Sequence, residues 1–151
     1  MSAAPKPPKA PSVNLPANLT GLPLDHLAVA VTDLESASLP YKLLGLTQIG
    51  EDELVAEQRV RVRMLRAGES LVELLEPTSP NSAIAKFLDK HGAGLHHVAF
   101  RVENLASEIK RLTAQQAQFA GETGTGREGT KVIFLHPKWT GGVLVELVQH
   151  G

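Results

Sequence analysis

The sequence predicts an α+β domain in which one order of elements, a strand, a helix and then further strands, is used twice. Three observations carry this prediction. Strand-like and helix-like patterns follow that order in each half of the 151-residue chain. The halves begin alike: "DHLAVAVTDLESA" laid on "HHVAFRVENLASE" at an offset of 71 pairs His26 with His97, Ala28 with Ala99, Val31 with Val102 and Leu34 with Leu105. They also end alike, because "LVELLEP" and "LVELVQH" pair Leu71, Val72, Glu73 and Leu74 with Leu144, Val145, Glu146 and Leu147 at an offset of 73. One loop that differs by two residues explains the change of offset.

Taken in order, residues 1–20 carry five prolines and two lysines and read as a flexible, solvated arm. A single domain is expected over residues 21–151, with repeat halves at about 24–77 and 95–149. "LDHLAVAV" reads as a strand, "TDLESASLPYKLLGL" as a helix, "LVAEQRVRVRML" as one long strand and "GESLVELLEP" as another after a glycine turn. Pro40 inside the first helix predicts a kink or a fresh start there. "SAIAKFLDKH" is a connecting helix with Asn81 or Ser82 as cap and a stop at Gly92. "LHHVAFRV" is a strand, "NLASEIKRLTAQQA" a helix with Leu105, Ile109 and Leu112 near helical spacing, and "KVIFLHP" and "GGVLVELVQ" are strands.

Composition narrows the chemistry. A net charge of -1 offers no basic excess for a phosphate backbone, so nucleic acid is not an expected partner. With no cysteine, a metal site has to be built from histidine and carboxylate. No apolar run approaches the roughly 20 residues of a membrane span, and the first residues lack the apolar core of a signal peptide. A cytoplasmic location and no membrane partner are the expectation.

Strand parity gives each histidine a side. Leu27, Val29 and Val31 form the face that meets the helix, which puts His26, Ala28 and Ala30 on an open, small-residue face. In the second half His97 lies with Ala99 and Arg101, whereas His96 falls with Val98, Phe100 and Val102 on the packed side. Each half thus offers one histidine on its first strand and one glutamate on its last, namely His26 with Glu73 and His97 with Glu146. Taken singly, each is as readily a packed histidine or a solvated glutamate. Their placement at repeat-equivalent positions favours a site for a divalent metal such as Co, Mn, Ni, Zn or Fe, without choosing among them.

The segments "LDHLAVAVTDLESA", "AEQRVRVRML", "VELLEPTSPNSAIAKFLDKHGAGLHHVAFRV" and "KVIFLHPKWTGGVLVELVQ" together resemble the vicinal oxygen chelate (glyoxalase-like) superfamily, and within it the methylmalonyl-CoA epimerase family. The resemblance runs from about Leu24 to Gln149. It implies paired, pseudo-symmetric βαβββ modules whose curved mixed sheet encloses a metal-binding cleft, often in a homodimer. By matching motif it implies metal ligands at His26, His97 and Glu146, with Glu73 in a fourth and less uniform position. The implied activity interconverts (R)- and (S)-methylmalonyl-CoA, a small-molecule CoA thioester, by proton removal and return through a metal-stabilised enolate.

Inversion most simply uses two acid/base groups on opposite faces of a planar intermediate. Glu146 and Glu73 are the expected catalytic pair, with Glu57 as an alternative to Glu73 because "QRVRVRML" carries no carboxylate. Gln58 is a candidate contact for the acyl part, and Lys131, Lys138 and Arg127 are candidate phosphate contacts. "GTGREG" precedes a strand instead of opening a helix, so it reads as a flexible loop near the cleft and not as a dinucleotide motif. His136 is expected to be structural. Two other readings use the same frame: an isomerase of the glyoxalase I type, and a metal-free protein that sequesters a ligand.

Overall fold

In the computed structural model, which describes residues 21–151, the repeat becomes a physical symmetry. The proline-rich arm expected over residues 1–20 lies outside the described residues. The first module comprises β1 (Leu24–Ala30), α1 (Leu34–Leu44), β2 (Thr47–Val55), β3 (Val60–Ala67) and β4 (Ser70–Pro77). The connector α2 (Ala83–His91) leads into β5 (Gly94–Arg101), α3 (Leu105–Ala114), β6 (Gly124–Thr125) and β7 (Lys131–Leu135). After a short α4 (Pro137–Thr140), β8 (Val145–Gln149) completes the second module. All eight strands join one curled mixed sheet in the order β2-β3-β4-β1-β5-β8-β7-β6. β1 runs parallel to β4 and β5 parallel to β8, while β1 and β5 meet antiparallel at the centre. The two expected βαβββ modules are therefore related by a pseudo-twofold axis between β1 and β5.

The two faces of the sheet follow the expected parity. Val31, Leu34, Leu65, Val72 and Leu74 pack with Val29 under α1, and Val102, Leu105, Ile133, Leu135 and Leu147 pack with Phe100 and Ile109 under α3. Leu65 and Leu74 are fully buried, each contributing ~1.5–3 kcal/mol of burial free energy. The other face is concave and lined by small residues at its centre, with Ala28 and Ala99 both at 0% exposure. Helix starts are capped as chemistry requires: Asp33, Ser82 and Asn104 accept from the backbone N–H three residues on. Ser82, rather than Asn81, is thus the cap of α2.

Two expectations are corrected. The segment read as one long strand is a hairpin: β2 ends at Val55, a turn follows, and β3 starts at Val60. Arg59 takes φ 55° in that turn. β2 escapes sequence recognition because it is an edge strand whose Gly50, Glu51 and Asp52 interrupt the apolar alternation of a half-buried strand. Of the two outcomes expected at Pro40, the fresh start does not occur: one helix runs from Leu34 to Leu44 through it. The Ser36 carbonyl that Pro40 leaves without a helical donor belongs to an exposed residue, where water can serve it.

Beneath α1, Arg63 is buried on the side opposite the concave face. Its guanidinium donates twice to Asp52 at 2.8 Å and once to Ser38 at 2.8 Å, and it pairs with Glu35 at 2.8 Å. This arginine ties β2 and α1 to β3 and holds the Asp52 carboxyl below its ordinary range.

Candidate metal centre and active site

Register brings four polar side chains to the middle of the concave face. β1 and β5 pair His26 with Ala99 and Ala28 with His97, a pattern that the pseudo-twofold exchanges with itself. β4 places Glu73 beside Ala28, and β8 places Glu146 beside Ala99. The alanine methyls at these central positions leave room for the larger groups around them. His26, Glu73, His97 and Glu146 are all buried. The Nε2 of His26 stands 3.3 Å from a Glu73 oxygen and 3.7 Å from Glu146, and the Nε2 of His97 stands 3.2 Å from Glu146.

These groups fit a divalent cation. Among the described residues, the Nε2 atoms of His26 and His97 are buried side-chain nitrogens with no hydrogen-bond partner, a costly condition that a metal ion relieves. His26, His97 and Glu146 each offer a ligand atom, and the three atoms lie within 4.8 Å of one another; Glu73 stands outside that group. Nitrogen and carboxylate donors without sulfur suit the first-row divalent ions.

Electrostatics separates the members. Burial pulls the His26 imidazole down, yet its hydrogen bond to Asp25 and the charges of Glu73 and Glu146 hold it above its ordinary value. Burial pushes the Glu73 carboxyl up, the Glu146 charge adds to this, and His26, His97 and Arg127 oppose it. Asp25, with a side chain of 0% exposure, would also be raised by burial. Contacts to the Nδ1 of His26 at 2.6 Å, His150 at 2.7 Å and Arg101 at 3.0 Å hold it far below the carboxylate range.

Parity fails at the two residues that precede the histidines. The β1–β5 register slips between Leu24 and His26, leaving Asp25 as an extra residue, and slips again opposite Ala28 and Val29, leaving His96 extra. At each bulge the extra side chain turns to the neighbouring histidine. His96 packs edge-on against Phe87, as a packed-side residue should, but its Nδ1 also lies 2.8 Å from the Nδ1 of His97. Burial and the neighbouring His97 push the His96 imidazole down to about 4.

A cleft of about 410 Å³ opens beside His97 and is lined by Gln58, Val60, Leu75, Ile84, Phe134 and Leu144, among others. Gln58 and Glu57 therefore reach the cleft wall, where Gln58 donates to the Thr125 carbonyl and Glu57 accepts from the Thr125 N–H. The "GTGREG" segment closes over the centre from the other side. Its Arg127 is buried instead of reaching out to a phosphate: Nε lies 3.3 Å from Glu73, and a terminal nitrogen lies 3.4 Å from Asp25. Lys131 and Lys138 are exposed and touch none of the four central groups. His136 caps α4 by accepting from the Lys138 N–H, a structural role as expected. Asp25 and Arg127 are the central residues that strand parity and motif spacing miss. The repeat offset carried a signal for one of them, because it pairs Asp25 with His96.

Comparisons with known proteins agree with this architecture. A protein-family model described as "Glyoxalase/Bleomycin resistance protein/Dioxygenase superfamily" matches residues 25–134. The chain is 41% identical over 128 residues to the human mitochondrial methylmalonyl-CoA epimerase, covering 83% of this chain and 73% of that protein. It is 37% identical over 129 residues to the ethylmalonyl-CoA/methylmalonyl-CoA epimerase of Cereibacter sphaeroides, with 83% and 96% covered. Among solved structures, methylmalonyl-CoA epimerase from Mycobacterium tuberculosis superposes with a TM-score of 0.80 at 35% identity, over 91% of this chain and 93% of that one. A methylmalonyl-CoA epimerase in complex with methylmalonyl-CoA and ammonium gives 0.80 at 33%, over 86% and 95%. With the family model matching most of its length and its two modules meeting at a shared centre, the chain belongs to the glyoxalase/bleomycin resistance protein/dioxygenase superfamily.

Proposed function

We propose that this protein is a metal-dependent isomerase that interconverts the (R) and (S) forms of methylmalonyl-CoA, acting as a cytoplasmic homodimer whose single domain spans residues 21–151. The observation that carries the reading is the pair of orphaned Nε2 atoms on His26 and His97, set among Glu146 and Glu73 beside an apolar cleft. Relatives and structural neighbours that carry the epimerase name give that geometry its substrate class.

His26, His97 and Glu146 are the residues that would hold the cation. Bound there, a divalent ion supplies Lewis-acid polarisation of the thioester and carboxylate oxygens, which lowers the cost of removing the α-proton. The chain's own groups handle the proton. Glu73 and Glu146 both approach the Nε2 of His26, from strands on opposite sides of the pseudo-twofold. A planar intermediate held between them would have one carboxylate on each face, as inversion requires. Glu73, raised by burial and by the charge of Glu146, is the member suited to carry the proton as an acid while its partner takes one as a base; reversing the reaction reverses the roles. The apolar wall of Val60, Leu75 and Ile84 would exclude water from the acyl group, and Gln58, on the same cleft wall, is its proposed hydrogen-bond partner. Lys131 and Lys138, exposed on the second module, are the proposed contacts for the CoA phosphates.

The test is inversion of (S)-methylmalonyl-CoA in deuterated water by chelator-treated and by cobalt- or manganese-reconstituted protein. The adduct of methylglyoxal with glutathione serves as the competing substrate. Metal-dependent inversion of the CoA thioester is expected. Turnover of the glutathione adduct alone would transfer the reading to the glyoxalase I reaction, and full activity after chelation would remove the metal from it.

A further inference from the structure

The two bulges at the centre of the sheet do the same job in each half with different chemistry. Asp25 and His96 are related by the 71-residue offset that relates His26 to His97. Each is the extra residue of its bulge, and each presents a heteroatom to the Nδ1 of the histidine that follows, at 2.6 Å in the first half and 2.8 Å in the second. In both halves the far nitrogen, Nε2, is the one left bare at the centre.

A neutral imidazole can offer Nε2 as a ligand only if its proton sits on Nδ1, and the partner of Nδ1 decides this. Asp25 can only accept, so it fixes the proton on the Nδ1 of His26. Two imidazole nitrogens 2.8 Å apart need one donor and one acceptor. We propose that His96 is a positioning residue of the metal centre, the imidazole counterpart of Asp25: its Nδ1 accepts the Nδ1–H of His97 and holds the His97 ring with Nε2 aimed at the ion. His96 then carries its own proton on Nε2, at the cleft wall, while Phe87 edge-packs the ring at 4.9 Å and fixes its rotation. The two ligand histidines are thereby made unequal. His26 leans on a buried carboxylate and His97 on a neutral ring, which is the weaker acceptor.

This inference rests on the metal reading of the site, and its test separates the two. Long-range proton–nitrogen NMR on the full-length, metal-free protein reads the His97 tautomer directly, and titration with cobalt(II) chloride, followed by the visible ligand-field bands, reads affinity. His96→Leu keeps bulk against Phe87 but removes the acceptor; His96→Asn restores an oxygen near the place of Nδ1. In the parent protein His97 is expected in the Nδ1–H form. His96→Leu is expected to lose that preference and to bind cobalt ~10–100-fold more weakly, as for other partners of metal-bound histidines. His96→Asn is expected to keep the Nδ1–H form and most of the affinity. Unchanged tautomer and affinity in His96→Leu, or equal losses in both variants, would reduce His96 to a packing residue and overturn the proposal. Should His96→Leu fail to fold, the tautomer in His96→Asn decides alone, since loss of the Nδ1–H form there contradicts the proposal. A parent protein that binds no cobalt would sink the metal reading, while the metal-free tautomer would still judge the contact between His96 and His97.

Discussion

Replacing Glu73 by glutamine separates its two conceivable duties, binding metal and moving a proton. The geometry sets different magnitudes for the two. Glu73 lies outside the trio of ligand atoms within 4.8 Å and is engaged by Arg127 at 3.3 Å, so Glu73→Gln should change cobalt affinity far less than Glu146→Gln does. As an acid/base group it should matter much more. Losing a positioned proton carrier costs ~10²–10⁴-fold in rate, or about 2.7–5.4 kcal/mol in the barrier. With the other carboxylate intact, one face of the intermediate is still served. One epimer should therefore go on exchanging its α-proton for solvent deuterium with retention, while inversion falls by that factor. The assay follows each epimer in deuterated water, scoring deuterium by mass spectrometry and configuration by a stereospecific coupling enzyme. Glutamine preserves shape and removes a carboxyl that burial already disfavours as an ion, so the variant should fold at least as stably as the parent without metal. Inversion at the parent rate would remove Glu73 from catalysis. A loss of cobalt affinity equal to that of Glu146→Gln would make it a ligand first.

Two further outcomes follow from the buried charges of the protein. In chelator, the melting temperature of a His96→Asn variant should rise as pH falls from 8 toward 6, because His26 holds its proton more tightly folded than unfolded and protonation then favours the fold; in the parent protein His96, pushed down to about 4, opposes this below its unfolded value of 6.5. Below about pH 4 the depressed Asp25 carboxyl also works against the fold, since its stabilising contribution is full above its unfolded value of 3.8 and is lost progressively as pH falls further. Saturating metal should flatten or invert the upper limb by competing with protons for the same atoms; a chelated His96→Asn protein most stable at pH 8 would contradict the assignment. Arg63→Met should lower stability by roughly 3 kcal/mol, the low end for breaking a buried pair because Asp52 keeps some solvent contact. Urea denaturation reads this as a lower midpoint with unchanged slope, and a loss below about 1 kcal/mol would show the pair behaving as a surface salt bridge.

Much of this centre is legible in the sequence, and the reason is physical. Strand residues alternate between faces, so a duplicated strand that begins with histidine and a duplicated strand that ends with glutamate must put all four groups on one surface if the modules meet. Ala28 and Ala99 were visible as the small residues that make space there. What escaped depends on departures from regular pairing. Parity placed His96 away from His97, but the bulge in β5 turns the two rings together. Arg127 looked like a loop cation because nothing local in "GTGREG" indicates burial; only the fold of the second module carries that loop over Glu73. β2 was missed for a related reason, since an edge strand held by Arg63 through Asp52 does not need an apolar face of its own.

Duplication alone would make the site symmetric, and the residues that border it keep it from being so. Two like modules deliver two like histidines and two like glutamates, and a symmetric set would leave two buried carboxylates competing for the same state, which close negative charges resist. Stereochemical inversion needs the opposite: at any moment one group must hold a proton and the other must lack it. The residues around the centre break the tie. Burial and the charge of Glu146 raise Glu73 toward the protonated form, while Arg127, which reaches it from a loop at 3.3 Å, limits how far it rises. Asp25 and His96, equivalent by repeat and different in charge, load the two histidines unequally. Both asymmetries come from side chains that border the repeated histidines and glutamates, so the two modules keep a matched geometry at the centre while their neighbours load its halves unequally.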